Sequence, residues 1–99
     1  MTDEISTLYA QILGETAAIS WPELERFFAK GIVMSVASEL DLVAVGEAIS
    51  NDDKAQVQAW MAQGLLHALQ DAQALDYQER NPNLWAVVIS PWILVQERN

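Results

Sequence analysis

Cysteine is absent from the sequence, and positively charged residues are few. Without cysteine there is no disulfide framework, no thiolate zinc site and no cysteine nucleophile, and a reducing cytoplasm is compatible with the composition. Five basic residues stand against 14 acidic ones, for a formal net charge of -9, and the bases are scattered along the chain. No basic stripe is available to neutralise phosphates, so we expect no binding to nucleic acid or to an anionic membrane.

Several motifs of catalysis and targeting are also missing. His67 is the only histidine, which excludes metal sites built on two or three imidazoles. There is no Gly-x-Ser-x-Gly nucleophile elbow, no phosphate-binding glycine loop and no dinucleotide fingerprint. The N-terminus carries acids where a signal peptide carries bases. We therefore expect a cytoplasmic, non-catalytic protein without cofactor or metal.

The composition that remains is that of a folded chain. Of the 99 residues, 52% are hydrophobic and 19% are charged, which predicts a single domain over residues 1–99 with a modest core. The longest apolar stretch, residues 84–96, is too short for a membrane span of about 20 residues and contains Pro91. We expect the tryptophans to contribute most to the core because each buries a large area. They are Trp21, Trp60, Trp85 and Trp92.

Apolar residues at helical spacing, together with capping residues, predict four or five helices. The clearest start is Ser20, with Glu23 three residues later as its reciprocal partner and Pro22 in the first turn. The other predicted N-caps are Thr2, Asn51 or Asp52, and Asp71. The predicted helices cover residues 5–13, 20–30, 40–49, 51–64 and 71–81.

β-branched and alternating segments predict three or four short strands. They cover residues 32–37, 65–69, 85–89 and 92–96. Proline cannot donate to a sheet ladder, and Ser-Pro is a poor two-residue hairpin turn, so we expect the last two strands to be joined by a kink at Pro91. The predicted fold class is α+β, with the helices packed on this small sheet.

Four segments of the sequence resemble a family of short bacterial proteins classed as a domain of unknown function. The strongest is the terminal pattern LWAVV at residues 84–88 with PW.LVQ at residues 91–96. The others are ETAAISWPELERFFAKG, LDLVAV, and the pair of aspartates before the helix that carries Trp60. The resemblance covers residues 8–96 and is weakest over residues 65–83. It implies a small bacterial cytosolic protein and assigns no catalytic or binding residue.

Two groups of polar residues could form chemical sites. Asp41, Asp52 and Asp53 are candidates for a carboxylate site, with or without a divalent metal, but acids at a helix start already have an electrostatic reason to be there. His67 is interpreted as a structural or surface histidine that shares a strand face with Leu65 and Leu69. We favour the capping role for the aspartates over metal binding.

The sequence favours an interaction module over an enzyme. The candidate interface consists of Trp92, Ile93, Val95 and Trp21. The strand over residues 92–96 has two apolar faces in a short chain, so we expect it at a sheet edge, where it pairs with a second copy in a homodimer or with another protein. The alternative is a purely structural role, in which all four tryptophans lie in the core. Two further alternatives are a carboxylate-site enzyme or small-ligand binder, and an acidic surface that mimics nucleic acid or docks a basic partner.

Overall fold

A computed structural model describes residues 6–98 of the chain. Over this range it contains five helices and five strands. The helices are α1 (Thr7–Glu15), α2 (Trp21–Ala29), α3 (Leu42–Ser50), α4 (Lys54–Ala62) and α5 (Asp71–Arg80). The strands are β1 (Ala17–Ile19), β2 (Val33–Val36), β3 (Leu66–Ala68), β4 (Leu84–Ile89) and β5 (Trp92–Glu97). None of these helices is long and apolar enough to cross a bilayer.

The strands form one mixed sheet in the order β1-β4-β5-β2-β3. Neighbouring strands are antiparallel except for β2 and β5, which run parallel. The α+β class is confirmed. The sheet has five strands, whereas the sequence predicts three or four. The additional strand is β1, a three-residue segment without a periodic signal of its own, which exists through its pairing with β4.

Helices cover both faces of the sheet. Helices α2 and α5 pack on one face, where Leu24 and Tyr77 belong to the same buried cluster as the strand residue Val95. Helices α1, α3 and α4 cover the other face, where Val45 and Leu94 are completely buried. Since the side chains of a strand alternate between the two faces, the central strands need apolar residues at nearly every position. This requirement explains the long apolar stretch near the C-terminus.

Local capping explains where the helices begin. The capping box of Ser20 and Glu23 is present, as the sequence predicts. Helix α1 begins after Ser6, whose side chain accepts from the amide of Tyr9, and the predicted cap Thr2 lies outside the described residues. Asp53 caps α4, in place of the expected Asn51 or Asp52. Helix α5 starts at Asp71 itself and has no side-chain cap.

Strands β4 and β5 form a tight antiparallel hairpin, so the expected kink at Pro91 is wrong. Ile89 pairs with Trp92, which leaves Ser90 and Pro91 as the two turn residues. The peptide bond between them is cis, as in turns that carry proline at their third position. The usual two-residue hairpin turns are of types I′ and II′, which Ser-Pro does not suit, and this turn is of another type.

The expectation that residues 92–96 lie at a sheet edge is also wrong. Strand β5 is the central strand, bonded to β4 on one side and to β2 on the other. Its backbone groups are therefore used within the chain, and it offers no free edge for pairing with a second molecule. The edges of the described sheet are β1 and β3, each of three residues.

Candidate functional site

The four predicted interface residues are not brought together on one surface. Trp21, Ile93 and Val95 are buried, with exposed fractions of 6%, 5% and 0%. They belong to the core beneath α2 and α5, where Trp21 packs against Phe28 and Tyr77. Trp92 differs, because 37% of its surface is exposed. Of the four, only Trp92 remains available to a partner in this structure.

Trp92 is the first residue of β5, and its side chain is partly exposed. It follows the hairpin turn and shares a sheet face with Leu94, which lies deeper, under α3. Helix α4 packs beside it against β3, at the far edge of the sheet. A cavity of about 490 Å³ lies between this helix and the tryptophan.

We call this space the Trp92 cavity. Its walls are mostly aliphatic and thioether side chains, contributed by α3, α4, β2 and β3 together with the indole itself. The apolar lining residues are Met34, Ile49, Val57, Met61, Leu66, Ala68 and Trp92. Met61, on α4, is 48% exposed. The cavity therefore combines an apolar interior with flexible, partly exposed side chains at its mouth.

The rim of the Trp92 cavity is acidic. Asp52, Asp53 and Lys54 line it, in the turn that joins α3 to α4. Asp52 adopts a positive φ of 56°, a conformation that aspartate tolerates better than most residues. Its carboxylate lies 4.0 Å from the Lys54 ammonium. Asp53 accepts a hydrogen bond from the backbone amide of Gln56, at 3.2 Å, so it serves both as a helix cap and as part of the rim.

The structure separates the three aspartates that the sequence offers as one carboxylate site. Asp41 caps the start of α3, whereas Asp52 and Asp53 follow its end. A helix of nine residues is about 13 Å long, too far for a shared metal. Asp41 is also occupied, since it accepts hydrogen bonds from the Tyr9 hydroxyl at 2.6 Å and from the Val43 amide at 2.9 Å. Among residues 6–98 there is no group of three acidic or histidine residues that could hold a metal ion.

His67 lies on β3, as predicted, with its Nδ1 atom 3.0 Å from the carbonyl oxygen of Ala68. It is the direct cross-strand partner of Ser35. Ser35 is a buried polar residue that the sequence analysis did not single out. The sequence contains one indication that Ser35 is buried, because this serine lies within the apolar segment IVMSVA.

These features define a small α+β domain in which two helical layers enclose a mixed sheet and an apolar, acid-rimmed cavity opens beside Trp92. The chain belongs to the family described as "Protein of unknown function (DUF2288)", which matches residues 7–97. It is similar to the NMR solution structure of PA1075 from Pseudomonas aeruginosa, with 52% sequence identity and a TM-score of 0.83. That match covers 100% of this chain and 92% of the other. No curated protein matches the chain.

Proposed function

We propose that the protein is a non-catalytic docking module whose Trp92 cavity receives an apolar side chain from a basic segment of a partner protein. The observation that carries the proposal is the partial exposure of Trp92 at a cavity of about 490 Å³. This volume lies within the range of roughly 300–1,000 Å³ that is typical of ligand sites. Tryptophan contributes strongly to binding where a partner removes it from water.

The charge of the protein supports a basic partner over a second copy of the chain. The formal net charge is -9, so two copies repel each other at long range. At the rim, two aspartates stand beside one lysine, which leaves an excess of negative charge around the cavity. Lysine or arginine residues next to the apolar anchor would approach this rim favourably, and they would accelerate association at low salt.

The two methionines of the cavity support a peptide as its occupant. Met34 lies in the wall and Met61 at the mouth. Methionine side chains adapt their shape at little cost, which suits a surface that accepts an inserted side chain. Helix α4 contains no fully buried residue, so side chains on its cavity face can adjust without disturbing the core.

Synthetic peptides provide a direct test. We would titrate ¹⁵N-labelled protein with lysine-rich peptides that contain one Leu, Phe or Trp, and with matched peptides that carry Ser at that position. The expected result is a set of chemical-shift changes centred on the Trp92 indole, Val57 and Met61, caused only by the peptides with an anchor. Added salt should weaken the binding because the charges at the rim are exposed.

Variants separate the apolar and electrostatic contributions. Trp92→Ala should weaken binding by about tenfold or more, whereas Leu75→Ala, which truncates an exposed leucine of α5, should not. The double variant Asp52→Asn, Asp53→Asn removes two charges from the rim and keeps a good helix cap. Its control is the double variant Glu25→Gln, Glu79→Gln, which removes two exposed charges elsewhere. Equal weakening by both charge variants would contradict a role for the rim. Self-association that Trp92→Ala abolishes, without peptide binding, would replace the basic partner by a second copy.

A further inference from the structure

A second apolar cavity, of about 370 Å³, lies on the other face of the sheet from the Trp92 cavity. Helix α2, the edge strand β1 and the β4–β5 hairpin form its walls. The lining residues used below are Ala18, Ile19, Phe27, Ile32, Val88 and Pro91. We call this space the Val88 cavity.

Val88 is largely uncovered on this face of the sheet. Because side chains alternate along a strand, Val88 points to the same face as Ala86, which is buried in the core beneath α2. Val88 itself is 62% exposed. Exposed single valines are common on protein surfaces, but this one stands beside the partly buried side chains of Ile19, Phe27 and Ile32. Together they offer a concave apolar seat.

The Val88 cavity and the Trp92 cavity meet at one end of the sheet. Pro91 lines the first, and the next residue, Trp92, lines the second. In the same way, Ile32 lines the first and Gly31 lines the second. The amide of Ile93 donates to the carbonyl oxygen of Ile32 at 2.9 Å, which joins these two segments. The cavities are therefore separated by the thickness of the sheet, one on each side of the hairpin.

Carboxylates lie at the Val88 cavity as they do at the Trp92 cavity. Glu15 and Glu23 line it, and both are exposed. Arg26 and Lys30 lie over the ring of Phe27, at 4.9 and 5.9 Å from its centroid, and neither lines the cavity. A basic segment that passes from one cavity to the other therefore meets carboxylates at both ends of its path.

We infer that the partner segment carries two apolar anchors and passes around the β4–β5 hairpin, with one anchor in the Trp92 cavity and the other in the Val88 cavity. This inference rests on the docking function proposed above. Packed layers lie about 10 Å apart, so the path around the turn is about 10–15 Å. An extended chain covers this distance in about three to five residues. The recognised segment is therefore a short basic stretch with an apolar residue on each side.

Lysine-rich peptides with one or two leucines test the spacing. The two-anchor peptide has four residues between its leucines, and each single-anchor peptide replaces one leucine by serine. A rearranged peptide of the same composition has the two leucines adjacent, too close to reach both faces. The two-anchor peptide should bind about tenfold more tightly than the others, because its second contact forms within the complex. In ¹⁵N-labelled protein it should shift the amides of Val88 and Ala18 together with the Trp92 indole.

Val88→Ser makes the assignment specific. Since Val88 is exposed, this variant should fold, and it should weaken the two-anchor peptide by about fivefold or more. It should leave a single leucine in the Trp92 cavity unaffected. Leu75→Ser, which removes an exposed leucine of α5, is the control and should change neither affinity. Equal effects of the two variants would contradict the second seat.

The peptide series also separates this inference from the proposed function. Single-anchor binding at Trp92 without any gain from the second leucine would overturn the inference and leave the docking function standing. Absence of binding by every peptide would refute both. Shifts of Val88 that follow the protein concentration rather than the peptide would assign the surface to a second copy of the chain, and so also overturn the inference.

Discussion

The side-chain amide of Gln96 donates a hydrogen bond to the carbonyl oxygen of Ala37, at 2.9 Å, and so ties the central strand β5 to the loop after β2. The same nitrogen donates to the carbonyl oxygen of Leu40 at 2.7 Å, and the amide oxygen accepts from Arg98. Gln96 is 3% exposed. Each polar atom of this buried side chain is therefore bonded, and the loop that leads into α3 depends on it.

We expect Gln96→Leu to lower the free energy of unfolding by about 2 kcal/mol, because the Leu40 carbonyl loses its donor in a buried place. Gln96→Glu should cost more near neutral pH, since a carboxylate facing two carbonyl oxygens cannot donate. Urea denaturation measures both effects, and Gln78→Leu is the exposed control. A loss from Gln96→Leu no larger than that of the control would contradict the structural role of the amide.

Gly46 allows α3 to approach the sheet closely. A Cβ atom at this position would lie 3.1 Å from Cδ1 of Ile89 and 3.3 Å from Cγ2 of Ile12. Gly46→Ala should therefore destabilise the protein by about 1 kcal/mol, because overpacking exceeds the gain in helix propensity. Gly14→Ala, in α1 with nothing within 4 Å, should instead stabilise by about 0.5–1 kcal/mol.

A double-mutant cycle checks the cause of this effect. Ile89→Val removes the atom nearest to the new methyl group and normally costs about 1 kcal/mol in a core. In the Gly46→Ala background it should cost clearly less, since it also relieves the crowding. Thermal and chemical denaturation of the four proteins give the coupling energy. Additive effects would show that the crowding is relieved elsewhere.

The sequence predicted elements whose signals are local and missed relationships that arise from distant pairing. The capping box of Ser20 and Glu23 identifies α2 because both residues lie within one turn. No local pattern predicts β1, because its three residues form a strand only through their pairing with β4. The same limitation applies to β5: a central strand requires two apolar faces, but the same pattern also fits an edge strand that a partner covers. The sequence left open whether Trp92 is buried in the core or exposed at an interface, and the structure leaves 37% of it exposed. The cavity beside it forms only where residues of α3, α4, β2 and β3 meet.

Tyr9 and Asp41 join α1 to the start of α3. The Tyr9 hydroxyl donates to Asp41 at 2.6 Å, and this bond, together with the negative charges of Asp41 and Glu47, raises the pKa of the phenol above its ordinary value of 10.0. Asp41→Asn keeps a good helix cap and removes one charge, so the pKa of Tyr9 should move back towards that value. NMR of ¹³C-labelled tyrosine over alkaline pH follows the change. The Tyr77 resonance is the internal control and should keep its own pKa, which burial raises.

The ion pairs of Arg80 predict how stability depends on acid. Arg80 donates to Asp76 at 2.7 Å and to Glu97 at 2.9 and 3.0 Å, and these bonds lower the pKa values of both carboxyl groups below their ordinary 3.8 and 4.5. A carboxyl with a lowered pKa in the folded state binds fewer protons than in the unfolded state, so its contribution is complete above the ordinary value and disappears as the pH falls through the folded value.

We therefore expect the wild-type protein to lose stability between about pH 5 and pH 2 more steeply than Arg80→Gln, in which both carboxyl groups return towards their ordinary pKa values. The difference in stability is fully present at neutral pH but should be small even there, because 49% of Arg80, 47% of Asp76 and 28% of Glu97 is exposed, and it should be smaller still in high salt. Urea denaturation across this pH range makes the comparison, with Arg26→Gln as a control that removes a base of α2 outside this group. If Arg80→Gln and Arg26→Gln changed the slope equally, the effect would belong to net charge rather than to the bonds that Arg80 makes.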